Sequence, residues 1–328
     1  MADTSFATGD SSTVKLWSRR WWVAAKEKSF FYANGFVGAG DDNIIVEMPD
    51  LMKDKGDRIR KHQYQNLSGS GITGENTLEG HEEALSQYYF DVTIDQIRHA
   101  IRLGGSVSEQ RHGDNGVRQQ MKDALSLWLA DYIDGEIFTG LTTSITKAVY
   151  GGDATATTDI EAGDYMTLNL ISKAVAKAGK GDPVINPVSQ GGDRLYAMIL
   201  SHDSAYDLTE QNSRWEQAQK DAGTRGSENK LWTRSLGIWK DTAVFRHANV
   251  PIATDWGGGG TITGSTNLFL GAGAGAIAYA KKKKWVEKLF DYDDKYGLAV
   301  GSIHGFAKAT FNSSDNAVIG VLTSRTSQ

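Results

Sequence analysis

Three stretches of this 328-residue chain carry residue types that could do chemistry. The first is His81-Glu82-Glu83. A zinc hydrolase sets two histidines one helical turn apart with a glutamate between them as general base, and no histidine stands four residues beyond His81. The seven histidines, at 62, 81, 99, 112, 202, 247 and 304, are scattered singly. Cysteine is absent, which removes thiolate ligands, a thiol nucleophile and disulfides together. No G-x-S-x-G elbow and no G-x-x-x-x-G-K-[ST] phosphate loop occurs. The expectation is therefore no metal and no catalytic centre.

The second stretch is Gly271, Gly273 and Gly275 after the apolar run Leu268-Phe269-Leu270. A dinucleotide loop needs G-x-G-x-x-G between a strand and a helix inside a complete βαβ unit. Here the spacing is G-x-G-x-G, late in the chain, so close packing of small residues is the better reading and no cofactor is expected. The third stretch is Lys281, Lys282, Lys283 and Lys284, followed directly by Trp285. With 35 Lys+Arg against 40 Asp+Glu the chain is net acidic at -5, so this run is thin for a nucleic-acid patch. It reads as a solvated strand edge that discourages wrong pairing, with contact to nucleic acid or a neighbouring acidic surface left open. Asp291, Asp293 and Asp294 are possible ion-pair partners between subunits, each such pair being weak.

The elements that position these stretches are legible to differing degrees. Hydrophobic residues make up 40 %, enough for a sizeable core in one large or two smaller domains. No run approaches the roughly 20 apolar residues of a membrane span, and the N-terminus lacks a secretory pattern, so a soluble chain is expected. Residues 1–45 crowd Trp17, Trp21, Trp22, Phe30, Phe31, Tyr32 and Phe36 without a clean period. They fit either ordinary core packing or an arm whose aromatics anchor on a neighbouring subunit.

Asp57 to Gln65 is polar on both faces, Ser68 to Gly74 is glycine-rich, and Tyr88 to Ile94 alternates. Together they predict a long projecting hairpin, which is marginal alone and needs a surface to lie on. From Asp114 or Asn115 as cap, Val117, Met121, Leu125, Trp128, Leu129, Tyr132 and Ile133 recur at helical spacing, predicting one long helix to about Leu141. A mixed α/β region follows, then strands at Trp285–Tyr292, Gly297–Phe311 and Ala317–Leu322.

Several segments resemble a divergent group of tailed-phage major capsid proteins, best known from short-tailed phages. They are Gly74 to Leu85, Val92 to Ala100, Ser108-Glu-Gln-Arg, Leu127 to Phe138, Tyr196 to Leu200 and Leu270-Gly271-Ala272. The resemblance spans most of the chain from about Trp17 onward. It implies an α+β, Hong Kong 97-type capsid fold with an N-terminal arm (1–45), an extended loop (46–90) and a peripheral domain on a spine helix (91–159). An axial domain (160–275) and strands returning to the peripheral domain (276–328) complete it. The implied role is a shell subunit, not an enzyme, that self-assembles into hexamers and pentamers around double-stranded DNA and needs no cofactor. Scaffolding, portal and decoration proteins are implied partners; the location implied is the virion, assembled in the bacterial host cytoplasm.

Trp17, Trp21, Trp22, Phe30, Phe31, Arg58, Arg60, Tyr64, Glu82, Glu83 and Lys281 to Lys284 are the candidate subunit contacts. Two other readings stay open: a tail or surface-layer component, and a nucleotide-binding α/β enzyme resting on the 271–275 glycines.

Overall fold

The computed structural model describes residues 29–325 except 53–55, 66, 68, 106–116, 182, 191–192, 211–213, 216 and 218–234. In chain order the first elements are α1 (Phe30–Ala33), β1 (Val37–Gly38), β2 (Ile45–Met48), β3 (Arg58–Tyr64), β4 (Gln87–Thr93), β5 (Asp95–Arg102) and α2 (Val117–Thr142). Next come β6 (Ala148–Tyr150), α3 (Leu168–Lys180), β7 (Val188–Gln190), β8 (Asp193–Leu200), α4 (His202–Glu210), β9 (Gly237–Trp239) and β10 (Thr242–Arg246). The chain closes with β11 (Ile252–Trp256), β12 (Ile262–Leu270), β13 (Gly275–Phe290), β14 (Lys295–Lys308), β15 (Thr310–Phe311), β16 (Ser314–Asp315) and β17 (Val318–Ser324).

The predicted long helix is α2, and its capping residues lie outside the described ones. Met121, Leu125, Leu129, Ile133, Ile137 and Leu141 are buried at steps of four, so one stripe faces the core. That stripe packs on a five-stranded sheet of order β1-β2-β13-β14-β5. At the far end of α2, Lys308 Nζ donates to the carbonyls of Thr143 (2.7 Å) and Ser144 (3.0 Å). A cation at the C-terminal end complements the helix dipole. Lys308 also lies 2.5 Å from the buried Asp315, whose other oxygen accepts the Thr146 amide at 2.7 Å. These contacts tie the end of the helix to the last strands.

The second sheet has the order β6-β17-β12-β8-β10-β9, with β11 added on β12 and β7 on β8. The last strand, β17, pairs with β12 and β6 here and does not return to the five-stranded sheet. All seven of its residues are buried, and such a strand needs neighbours on both edges and cover on both faces. One continuous apolar cluster runs from α2 through both sheets, and a smaller one around Val46, Phe90, Val92 and Ala278 sits under the root of β3 and β4.

No helix follows the glycines at 271–275: the chain turns there and runs straight into β13. A methyl group built at Gly271 would come within 2.3 Å of Ile185 Cγ2, and Gly273 adopts φ +70. Small residues are needed there for packing and for the turn, which takes away the basis of the nucleotide reading.

Candidate assembly surfaces

The predicted hairpin is present. β3 and β4 pair antiparallel from Arg58↔Thr93 to Tyr64↔Gln87, forming a two-stranded ribbon. Polar residues alternate along β3 because neither of its faces is fully covered. At the root, Ile94 N–H donates to the Asp57 carbonyl, and the chain bends at once into β5. The bend is possible because Gly305 lies under it: a methyl group built there would come within 1.9 Å of the Thr93 carbonyl oxygen. Beyond the ribbon, every described residue from 69 to 87 is exposed.

Cross-strand chemistry stiffens the ribbon. Arg60 grips Asp91 with two hydrogen bonds, Nε to Oδ1 at 2.8 Å and Nη2 to Oδ2 at 2.9 Å. Its guanidinium also stacks 3.8 Å over the Tyr89 ring. The hydrogen bond from Arg60 holds the Asp91 carboxyl below its ordinary range. Arg58 lies farther off, 3.9 Å from Asp91 and 3.5 Å from Asp57. Tyr64 ends β3 with its ring largely in solvent.

Glu82 and Glu83 sit in the tip loop, where each accepts a backbone amide: Gly80 N–H to Glu82 at 2.8 Å and Gly69 N–H to Glu83 at 2.7 Å. The second bond closes the loop on itself. Leu67, Leu78 and Leu85 are exposed in the same loop, an apolar signal the sequence reading passed over among so many glycines and glutamates.

Lys281 to Lys284 fall within β13, where two register shifts against β14 mark bulges. β2 pairs β13 only over Gly275–Ala278. From Lys281 onward, among the described residues, that edge of β13 has no strand beside it. The lysines thus stand on a strand edge, as expected, although Lys282 is paired to Glu47. Val286 and Leu289 are exposed a few residues further along the same strand.

The aromatic residues of the N-terminal region divide. Trp17, Trp21 and Trp22 lie outside the described residues. Phe31 and Phe36 are wholly buried in the chain's own core, so Phe31 has no surface to give to a neighbour. Phe30 packs on Phe31 (5.3 Å), Phe138 (6.2 Å) and His247 (4.6 Å between centroids). Phe30 and Phe31 thus pack within the chain itself.

The group that locks this turn is Asp134, which the sequence reading missed because an acid in a helix looks solvated. It is buried, accepts the Ser29 hydroxyl at 2.6 Å and the Phe30 amide at 2.7 Å, and its pKa is raised by burial. Nearby, the Tyr32 and Tyr279 hydroxyls meet at 2.5 Å, both raised by burial. Among the described residues no three potential metal ligands come together.

An α2 spine under one sheet, a second sheet beyond it and a ribbon with an exposed tip form an arrangement that can be compared with known proteins. The profile of the family described as "Phage capsid protein" matches residues 5–147 and 141–323. The chain belongs to the phage capsid protein family. It is 27 % identical to the major capsid protein of Pseudomonas phage KPP25, over 97 % of this chain and 96 % of that one. The capsid of Ralstonia phage GP4 superposes with a TM-score of 0.82 at 28 % identity, covering 99 % of each chain. The capsid of Cyanophage Pam1 gives 0.78 at 15 % identity over 99 % of each chain, a likeness of fold alone.

This capsid protein therefore has the Hong Kong 97-type α+β fold, forms the shell of a phage by self-association, and is a component of the virion. α2 is its spine helix. No helix among the described residues is long and apolar enough to cross a membrane.

Proposed function

We propose that this capsid protein closes an icosahedral shell from hexamers and pentamers around double-stranded DNA, with the β3–β4 ribbon as an arm resting on a neighbouring subunit. The tip loop is the observation that carries this reading. Leu67, Leu78 and Leu85 are each at least 60 % exposed in the tip loop, beyond the stretch of β4 where Phe90 and Val92 are buried. A two-stranded ribbon is marginal in water, and apolar side chains held out on it gain by covering.

In this reading the extended loop spans 57–94, and the peripheral domain is α2 with the five-stranded sheet, which takes in β1 and β2 at the end of the expected 1–45 arm. The axial domain is the eight-stranded sheet with α3 and α4. The loop starts at 57 in this reading because the residues of β2 pair with β13. Arg58, Arg60, Tyr64, Glu82, Glu83 and the lysines of β13 are the contact residues. The protein acts by assembly and not by catalysis, in the host cytoplasm, with scaffolding, portal and decoration proteins as partners and packaged DNA against its inner face.

Sedimentation and negative-stain electron microscopy of the protein, alone and with a scaffolding candidate, test this reading. Closed shells with five- and six-fold clusters are expected. Small oligomers under every condition would overturn it.

A further inference from the structure

A sheet edge that ends in solvent offers its backbone to any strand that arrives. Among the described residues, β1, β6 and β9 end their sheets as strands of two or three residues, and the free stretch of β13 is broken by bulges. The edge of β5 is different. Its eight residues pair with β14 from Gly297↔Arg102 to His304↔Asp95 without a break, it contains no proline, and no described strand lies on its other side. Leu103 N–H donates to the Tyr296 carbonyl at 2.8 Å, so by the alternation of an antiparallel ladder Gln96, Arg98, Ala100 and Arg102 turn their amides and carbonyls outward. The Gln96 amide takes the carboxylate of its own neighbour, Asp95 Oδ1 at 2.6 Å, as an amide without a strand opposite does. Nor do the arginines guard the edge. Arg98 leans inward, its Cγ 3.0 Å from a methyl group built at Gly301 of β14, and Arg102 lies over the Phe290 ring of β13 at 4.5 Å.

We propose that β5 pairs antiparallel with β5 of a second copy across a two-fold axis at His99, joining two five-stranded sheets into one continuous sheet. An axis perpendicular to the sheet keeps each side chain on its own face, so only registers centred on a residue are allowed. Centring on Arg98 sets that arginine against itself, and centring on Ala100 sets Arg98 against Arg102. Centres nearer either end leave part of the strand unpaired. Centring on His99 faces Ile97 with Ile101, Arg98 with Ala100 and Gln96 with Arg102, and gives every outward amide and carbonyl a partner. Ile97, His99 and Ile101 share the face toward α2, where His99 stacks on Trp128 at 4.5 Å, and the half-buried isoleucines are covered by the pairing. The contact is separate from the β3–β4 ribbon and holds wherever that ribbon rests.

The chain has no cysteine, so a single introduced one reports the register. At the axis the two copies of position 99 form a non-hydrogen-bonded pair with Cα atoms about 4.5 Å apart, within reach of a disulfide. Shells of the full-length His99→Cys variant should yield disulfide-linked dimers on mild oxidation. Shells of Gln96→Cys should not, because its two copies stand about 20 Å apart along the strands. In the unmodified protein, the amides of Arg98, Ala100 and Arg102 should exchange hydrogen at least about tenfold more slowly in shells than in free subunits. Shells in which His99→Cys stays unlinked, or in which those amides exchange as fast as in free subunits, overturn the pairing. Links from Gln96→Cys as strong as those from His99→Cys overturn it as well, since they place a different register or a different contact at this edge.

Discussion

Phe306 of β14 stands against Gly140 of the spine helix so closely that a methyl group built at Gly140 would come within 2.4 Å of its Cδ1. The same ring crowds Gly275 from the other side, 2.6 Å from a methyl group built there. One aromatic side chain thus fills a slot left by two missing ones, and helix and sheet are pinned together through it. Just beside it, Glu136 of the helix accepts the Phe306 amide at 3.2 Å and lies 3.1 Å from His304 Nε2.

Gly140→Ala is expected to destabilise the protein by about 1–3 kcal/mol through overpacking, offset in part by roughly 1 kcal/mol of gained helix propensity. Phe306→Leu in the same chain should recover part of the loss. Urea unfolding of the two variants measures both, and an Ala variant at least as stable as the parent would remove the pin from the account.

Gly305→Val should act at a distance. Its side chain would meet the Thr93 carbonyl, so the bend from β4 into β5 must open and the ribbon must swing from its root. Faster proteolysis between residues 57 and 94, with the rest of the chain still resistant, is the expected readout. Equal cleavage in parent and variant would show that the glycine does not set the ribbon's direction.

Asp134 should separate shape from charge. Removing the carboxylate with Asp134→Ala strands the Ser29 hydroxyl and the Phe30 amide in a buried place, at about 1–3 kcal/mol. Asp134→Asn keeps an acceptor for the amide and should cost less. Because burial raises the folded-state pKa of Asp134, its titration contributes stability that is fully present below the unfolded-state pKa and is lost as pH rises through the folded one. The Ala-to-Asn gap in thermal midpoint is the quantity to measure, and no gap would contradict the locking role.

His247 works in the other direction. Its ring stacks 4.9 Å from Phe138 and 4.6 Å from Phe30, and burial, helped by His202, lowers its pKa below the ordinary 6.5. A base with a lowered folded pKa stabilises the fold above its unfolded pKa and loses that contribution as pH falls. Stability should therefore decline on acidification below about pH 6.5, and His247→Phe should flatten that decline. Parallel pH profiles for parent and variant would exclude the histidine as the cause.

Elements that state their own environment are legible in the sequence. The four-residue steps from Met121 to Leu141 describe a helix packed along one stripe, and the two-faced polarity from Arg58 to Tyr64 describes a ribbon with neither face fully covered. Long-range pairing is less legible. The parallel match of Ile45–Met48 to Gly275–Ala278 joins residues more than two hundred apart, and nothing local announces it. Likewise, the lysine run interrupts the apolar pattern, so of the sixteen-residue strand only the part from Trp285 was legible. Phe31 looked equally like an anchor or a core residue, because burial depends on what arrives from α2.

The most direct test of the account is a cryo-electron microscopy reconstruction of the assembled shell, traced through the β3–β4 ribbon. The account predicts that the tip loop of each subunit lies across the next one, with Leu67, Leu78 and Leu85 covered there. A tip loop that lies only on its own subunit, with those leucines left in solvent, would contradict it.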